Sequence, residues 1–243
     1  MKLIEGKNLS KNYIVGKNKK IALDSVSFSL EEGEFVGLVG ESGSGKSTLA
    51  KILIGLIKPD VGEVQSLESK KNRMVQMIPQ NPYGAFDPLA TMEVSLVEPL
   101  LAHKIITRRK EGRELVREKL SDYGLSEDSL DKYPGEFSGG QLQRLGILRG
   151  MLLEPKVLIA DEIISALDSH RKLAILELLK NLQLKDGLSI LFITHDIAVI
   201  QNFADRIIVM RAGRIVEEGP TKEILLSPKD KYTKELLEAV PKI

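Results

Sequence analysis

Hydrophobic and polar residues alternate with two different periods along this chain. Between residues 1 and 34, stretches such as "KLIEGKNL" and "IALDSVSFSL" place apolar side chains at every second position, the pattern of half-buried β-strands. Short apolar runs, typical of buried parallel strands, occur in "EFVGLVG", "MVQMIPQ", "PKVLIADE" and "LSILFITHD". Helical spacing appears instead in "KSTLAKILIGLIK" and "SHRKLAILELLKNLQ", and Asp168 or Ser169 can cap the second of these helices.

Strands that alternate with helices predict an α/β fold with a mostly parallel sheet covered on both faces. Two more strands are predicted in "RIIVMRAGRIVEEG", and closing helices in "PTKEILL" and "YTKELLEAV". From Asn81 to about Glu136 the pattern changes to a loop followed by charged, helix-favouring stretches such as "RRKEGRELVREKLSDYGL". We therefore predict one domain over residues 1–243, with a helical subdomain at 86–144 inserted into its core.

Composition excludes several kinds of protein and site. The chain carries 35 Lys and Arg against 34 Asp and Glu, so its formal net charge of +1 gives no indication of a nucleic-acid partner. It has no cysteine, which excludes disulfides, zinc–cysteine sites and a thiol nucleophile and fits a reducing cytosol. No apolar run reaches the roughly 18 residues of a membrane span, and the N-terminus lacks the apolar core of a signal peptide. We expect a cytosolic protein that reaches a membrane only through a partner.

The stretch "GESGSGKS" from Gly40 to Ser47 fits the phosphate-binding pattern G-x-x-x-x-G-K-[ST]. Its glycines let the backbone curl so that successive N–H groups converge on one anion, and the helix that follows adds its positive end. Lys46 can reach the terminal phosphates, and Ser47 can offer its hydroxyl to Mg²⁺. Because a predicted strand precedes the motif and a predicted helix follows it, we expect a site for a nucleoside triphosphate with Mg²⁺.

Two adjacent acids, Asp161 and Glu162, end a predicted buried strand. Ligands of open α/β sheets bind at the carboxyl ends of strands. Asp161 is suited to hold Mg²⁺, usually through water, and Glu162 to orient or deprotonate an attacking water.

A second glycine-rich stretch, "SGGQ" at residues 138–141, precedes another predicted helix and contains no lysine. A serine hydroxyl, glycine N–H groups and the helix dipole together can hold a phosphate. When these four residues are considered alone, a simple helix cap is the better explanation.

Together these motifs resemble those of the ATP-binding subunits of ABC transporters, over nearly the whole chain. "GESGSGKST" is similar to their Walker A motif, "FSGGQLQR" to their signature motif, "VLIADE" to Walker B and "SALD" to the D-loop. Tyr13, Gln80 and His195 match the adenine-stacking aromatic, the Q-loop glutamine and the switch histidine of that family. The resemblance implies a P-loop NTPase (RecA-like) core with an N-terminal antiparallel β subdomain and an inserted α-helical subdomain.

The resemblance also implies a role for each site residue. Two ATP molecules would lie between two subunits packed head to tail, with the P-loop of one subunit facing residues 138–141 of the other. Glu162 and His195 would be catalytic, and Mg²⁺ would be held by Ser47, Gln80 and Asp161. ATP would be bound by Tyr13, Gly40, Glu41, Ser42, Gly43, Ser44, Gly45, Lys46, Ser47, Thr48, Gln80, Ser138, Gly139, Gly140 and Gln141.

Two stretches resemble the peptide and nickel importers within that family: "PQNPYGAFDPLATM" and the tail "KYTKELLEAVP". This branch implies a second, related but different ATPase chain, two permeases and, indirectly, an extracytoplasmic binding protein, at the cytoplasmic face of the cell membrane. The sequence departs from the family at Ile163-Ile164, which replace Pro-Thr after Walker B; we expect catalysis to survive because the acids remain. The stretch before Gln80 is shorter than in most relatives, so one strand or turn is expected to be trimmed.

Two other classes of protein stay open. A non-transport ABC protein that acts on nucleic acid or ribosomes would share the ATPase motifs, but one short domain with near-neutral charge argues against it; tight, salt-dependent RNA or DNA binding would support it. A P-loop kinase would explain Lys46 and Asp161 but leave residues 138–141, Gln80 and His195 without a function. We predict a Mg²⁺-dependent ATPase that drives import of peptides or nickel chelates, with no nucleic-acid partner.

Overall fold

The computed structural model describes residues 1–16, 18–66 and 73–239. The strands are β1 (Lys2–Val15), β2 (Asn18–Glu31), β3 (Phe35–Val39), β4 (Val61–Ser66), β5 (Val75–Ile78), β6 (Val157–Asp161), β7 (Ser189–Thr194), β8 (Arg206–Arg211) and β9 (Arg214–Pro220). The α-helices are α1 (Lys46–Leu53), α2 (Met92–Ala102), α3 (Arg109–Lys119), α4 (Gly139–Met151), α5 (Ser169–Asp186), α6 (Ile197–Ile200), α7 (Thr221–Leu226) and α8 (Lys231–Glu238). Short 3-10 helices lie at Tyr83–Ala85, Leu120–Tyr123, Glu127–Asp131 and Pro134–Glu136.

The central sheet has the strand order β5-β6-β7-β3-β8-β9. Its first five strands run parallel, and β9 pairs with β8 in the antiparallel direction. The prediction of an α/β fold with a mostly parallel sheet is confirmed. Because β6, β7 and β3 are neighbours, their carboxyl ends lie at the same edge of the sheet, where a ligand site is expected.

Alternate side chains of the central strands enter two separate cores, which is why these strands are apolar along their whole length. On β3, Phe35 and Val39 join a core formed with α4, α5 and α2. Val36 and Leu38, which point the other way, join a core formed with α1 and the N-terminal strands. The sheet is therefore covered on both faces, as predicted.

The strands β2, β1 and β4 form a separate antiparallel sheet, which confirms the N-terminal antiparallel β subdomain. The hydrophobic pattern did not predict β4, because its sequence "VGEVQS" is short and mostly exposed; β4 is recognised only by its pairing with β1, for example Val64 opposite Gly6. Residues 67–72, which belong to the stretch where we expect a trimmed strand or turn, lie outside the described residues.

Between β5 and β6 the chain leaves the sheet and forms α2, α3 and α4. Ion pairs tie these helices together, since the Arg113 guanidinium on α3 donates to Asp131 at 2.9 and 3.0 Å and also to Glu93 on α2. α4 then returns to the sheet so closely that a Cβ added at Gly150 would lie 3.1 Å from Ile78 Cδ1. The subdomain bounds 86–144 stay a prediction, and residue 144 falls inside α4.

The C-terminal end of the chain lies partly outside the described residues. The single domain over 1–243 stays a prediction, and residues 240–243, including the last part of the tail motif "KYTKELLEAVP", lie outside the described residues. Across residues 1–16, 18–66 and 73–239, no helix has the length and apolar character needed to cross a membrane.

Candidate nucleotide site

The P-loop connects the end of β3 to the start of α1. Gly40 and Gly45 have φ angles of 155° and 110°, a region that side chains other than glycine rarely adopt. Space excludes other residues as well, because an added Cβ would lie 2.1 Å from Met210 O at Gly40 and 2.4 Å from Ala22 O at Gly45. These two glycines therefore fix the path of the loop, and α1 begins directly behind it with its N-terminus towards the loop.

Lys46 places its ammonium group at the centre of this loop. Its Nζ lies 2.7 Å from Gly40 O, 2.9 Å from Glu41 O and 3.7 Å from Glu162 Oε1. The side chain is only 3% exposed, and this burial lowers the pKa of the ammonium, while the Glu162 and Asp161 carboxylates oppose the shift. A buried cation with loop carbonyls and carboxylates around it is suited to bind the phosphates of a nucleotide.

Ser47 and Asp161 meet across the sheet edge. The Ser47 hydroxyl donates to Asp161 Oδ1 at 3.1 Å, although the two residues are 114 positions apart in sequence. Asp161 is buried at the end of β6, and this burial raises the pKa of its carboxyl. A hydroxyl beside a carboxylate is an oxygen-donor pair of the kind that Mg²⁺ prefers. In the part of the chain that the structure describes, no cluster of three or more His, Asp or Glu side chains is placed to hold a metal ion.

The Glu162 carboxylate is the point where other predicted residues meet. Gln80 Nε2 donates to Glu162 Oε2 at 3.1 Å, and His195 Nδ1 lies 3.9 Å from the same oxygen. The Glu162 backbone has a φ of 50° and its N–H donates to Ile193 O of β7 at 3.0 Å, which fixes the direction of the side chain. The structure thus brings Gln80 after β5, His195 after β7 and Lys46 of the P-loop to the carboxylate of Glu162, which follows β6.

A cavity of about 420 Å³ opens in front of this cluster. Tyr13 contributes to its wall from β1, and the residue opposite Tyr13 in the β1–β2 pairing is Lys20, which also lines the cavity. Sequence analysis did not identify Lys20 or Ala22 as site residues, because their position depends on the register of a hairpin rather than on a motif. The cavity is lined by Tyr13, Lys20, Ala22, Ser42, Gly43, Gly45, Lys46, Ser47, Thr48, Gln80 and Glu162.

The second glycine stretch caps α4. Ser138 Oγ accepts from Gln141 N at 3.3 Å, and Gln141 Oε1 accepts from Ser138 N at 3.0 Å, a reciprocal capping box. Ser138 and Gln141 also line a second cavity of about 280 Å³ together with Arg144 and Arg171, two residues that sequence analysis did not single out. Among the described residues the two cavities share no lining residue, so the two glycine stretches line different cavities of one chain.

The segment between β6 and α5 accommodates the departure from the family pattern. Ile163 and Ile164 are 3% and 2% exposed and belong to the core beneath α4 and α5, so their side chains fill apolar space. Asp168 begins α5 by accepting from Arg171 N at 3.0 Å, which confirms one of the two predicted caps. Both acids of the site keep their positions ahead of this substituted pair.

Comparison with known proteins identifies the family. A profile described as ABC transporter matches residues 23–165. The oligopeptide transport ATP-binding protein OppF of Bacillus subtilis is 40% identical over 252 residues, which cover 99% of this chain and 83% of the relative. The dipeptide transport ATP-binding protein DppF of Haemophilus influenzae is 40% identical over 233 residues, or 91% of this chain and 71% of the relative.

Solved structures of the same family superpose on this chain. The ATP-binding cassette MJ0796, in a dimeric post-hydrolysis state bound to ADP and Pi, superposes with a TM-score of 0.81 at 33% identity, over 90% of this chain and 98% of that one. The CbiO1 protein of Clostridium perfringens, described as part of an ABC transporter complex, superposes with a TM-score of 0.79 at 28% identity, over 93% and 91% of the two chains. The chain therefore belongs to the ABC transporter family, and it is a nucleotide-binding ATPase subunit of that family.

Proposed function

We propose that this protein hydrolyses ATP to drive a membrane importer of short peptides through partner permeases. Its relatives from Bacillus subtilis and Haemophilus influenzae are oligopeptide and dipeptide transport proteins, and they match almost the whole chain. The observation that carries the proposal is the Glu162 carboxylate, which has Lys46, Gln80 and His195 within 3.9 Å. Nickel chelates are the other cargo that the tail and Q-loop stretches indicate.

The chemistry of hydrolysis follows from this cluster. Glu162 accepts a proton from, or orients, the water that attacks the γ-phosphate. Lys46 and the N-terminus of α1 stabilise the charge that develops on the phosphate oxygens. His195 donates a hydrogen bond to the γ-phosphate. A Mg²⁺ held by Ser47, Asp161 and Gln80 would neutralise negative charge on the phosphates of the nucleotide.

A second subunit completes the site in this proposal. Ser138 and the three residues after it would bind the nucleotide held by the P-loop of the partner, because their cavity is separate from that of their own P-loop. The dimeric state of the superposed cassette supports this arrangement. We propose that the partner is a second ABC ATPase, related to this chain but different from it.

The permease would contact the protein next to Gln80. A cavity of about 340 Å³ lies between β5, α2 and α4, and Pro79, the residue before Gln80, forms part of its wall with Pro99 and Arg149. A permease segment seated there would contact the backbone that carries Gln80, whose side chain bonds Glu162. Such contact links transport to hydrolysis and places the protein at the cytoplasmic face of the membrane.

The catalytic half of the proposal is tested with Glu162→Gln, which keeps the shape of the side chain and removes its charge. We expect ATP binding to persist and the hydrolysis rate to fall by about a hundredfold or more, as for loss of a general base. Glu177→Gln on the exposed face of α5 is the matched control and keeps the parent rate. Undiminished hydrolysis in Glu162→Gln would show that Glu162 is not the catalytic carboxylate.

The same variant tests the transport half in the native host. A strain that lacks the gene receives the parent or the Glu162→Gln gene, and uptake of a labelled short peptide is compared with uptake of labelled nickel, with and without a small chelator. We expect only the parent to restore peptide uptake. Restoration of nickel uptake alone would make the cargo a metal chelate. Restoration of neither would contradict both cargoes, and RNA or DNA binding with steep salt dependence would favour the nucleic-acid alternative.

A further inference from the structure

The tail motif has no role in the chemistry proposed above, yet the structure connects it to the P-loop. Tyr232 in the first turn of α8 is 2% exposed, and its hydroxyl accepts a hydrogen bond of 3.0 Å from the Glu41 backbone N–H. The two residues are 191 positions apart in sequence. One side chain of the C-terminal helix therefore touches the second residue of the phosphate-binding loop.

The connection continues through the loop to its lysine. The N–H that Tyr232 accepts belongs to the Gly40–Glu41 peptide, and the carbonyl of this same peptide, Gly40 O, accepts from Lys46 Nζ at 2.7 Å. Because the C=O and the N–H of a trans peptide lie in one plane and point in opposite directions, the bond to Tyr232 on one side also directs this carbonyl towards Lys46 on the other. The orientation of a carbonyl that contacts the phosphate-binding cation therefore depends on α8.

The Tyr232 side chain is itself packed against a cation. The Arg211 guanidinium lies over its ring at 4.6 Å from the centroid. Burial raises the pKa of the phenol, and the Glu41 carboxylate adds to this shift, so the hydroxyl keeps its proton at neutral pH.

The start of α8 is anchored to the sheet. Asp230 Oδ1 accepts from the Tyr232 backbone N–H at 2.8 Å and caps the helix. The Glu217 carboxylate on β9 accepts from Lys229 N at 2.8 Å and from Asp230 N at 3.1 Å. These bonds keep the Tyr232 side chain directed at the loop.

We propose that Tyr232 is a positioning residue of the nucleotide site, whose hydroxyl fixes the Gly40–Glu41 peptide and so keeps the P-loop in the shape that binds phosphates. The inference rests on the nucleotide site proposed above. Tyr232 is expected to act on binding rather than on the chemical step, because it touches the loop and none of Lys46, Glu162 or His195.

Tyr232→Phe in the full chain tests this inference, because it removes the hydroxyl and keeps the ring. We expect the Kd and the KM for ATP to rise by about three- to tenfold, the effect of one net hydrogen bond, with kcat unchanged. Tyr123→Phe is the matched control, because it also removes one hydroxyl from a tyrosine that is buried, at 6% exposure, but lies in the helical insertion. We expect this variant to have the Kd and KM of the parent.

The outcomes separate this inference from the proposed site. Equal ATP affinity in Tyr232→Phe and the parent would overturn the inference, as would an equal loss in Tyr123→Phe. A fall in kcat with an unchanged KM would overturn it too, because the residue would then act on the chemistry. Lys46→Ala is measured alongside. If Lys46→Ala binds ATP as the parent does, the proposed nucleotide site fails. If Lys46→Ala loses ATP binding while Tyr232→Phe binds ATP with the affinity of the parent, only the inference about Tyr232 is refuted.

Discussion

Asp161 has an electrostatic cost that its proposed function explains. Burial at the end of β6 raises the pKa of its carboxyl above the ordinary value of 3.8, so the charged form is less favourable in the folded chain than in the unfolded chain. Between these two pKa values the folded chain binds more protons. Its stability therefore falls as the pH rises through that window, and the cost is fully present once the pH exceeds the pKa of the folded state.

Asp161→Asn should consequently stabilise the nucleotide-free protein. We expect a higher free energy of unfolding at pH 7, measured with urea, and a difference from the parent that narrows as the pH falls towards the ordinary value of 3.8. Mg²⁺-dependent ATP hydrolysis should be lost at the same time. Lower stability of the variant at pH 7 would contradict this and would show that the bond from Ser47 and the charge of Lys46 outweigh the burial of the carboxylate.

Local motifs and long-range contacts differ in how far the sequence predicts them. The P-loop could be placed because Gly40, Gly45, Lys46 and Ser47 lie within a fixed spacing, and local geometry decides their arrangement. The contact between Tyr232 and Glu41 could not be predicted, because it depends on how α8 packs against the far end of the chain. Lys20 was missed for a related reason, since its place beside Tyr13 follows from hairpin register.

Among the elements, the hydrophobic pattern predicted the buried central strands and missed the exposed strand β4 and the short helix α6. β3, β6 and β7 are buried on both faces and appear as apolar runs, so they were identified correctly. β4 is largely exposed and is defined by backbone pairing with β1, to which a pattern of side chains is insensitive. The bounds 86–144 remain a prediction because α4, which runs from Gly139 to Met151, belongs by its contacts to the insertion and to β5 alike.

The N-terminus of α4 has two functions in our interpretation, and substitutions at Ser138 separate them. Asparagine caps helices about as well as serine, whereas alanine costs about 1 kcal/mol of stability. We expect Ser138→Ala to lower the free energy of unfolding by about that amount and Ser138→Asn to leave it unchanged. Both variants should lose turnover, since neither offers the serine hydroxyl to the nucleotide of the partner. Full turnover in Ser138→Asn would show that this serine is a helix cap and nothing more.

In the molecule as a whole, we propose that each chain carries two different half-sites. The P-loop cavity is lined by Lys46 and Glu162, and the cavity beside Ser138 contains a helix N-terminus with Arg144 and Arg171. Among the described residues the two cavities share no lining residue, and in this proposal a nucleotide in the first cavity contacts residues 138–141 of another chain. Binding and turnover should therefore respond differently to dilution and to substitution.

ATP binding by the purified pair of ATPase subunits should persist on dilution, while hydrolysis per chain should fall as the pair dissociates.

Within the pair, Lys46→Ala should remove the nucleotide bound by this chain but leave the nucleotide bound by the partner, because residues 138–141 still complete the site of the partner. Ser138→Asn should leave both nucleotides bound and slow hydrolysis at the partner's site. Labelled ATP gives the number bound per pair, and phosphate release gives the rate. If hydrolysis per chain stays constant on dilution well below the dissociation constant of the pair, a single chain holds a complete site. That outcome would contradict the proposal that two chains complete each site.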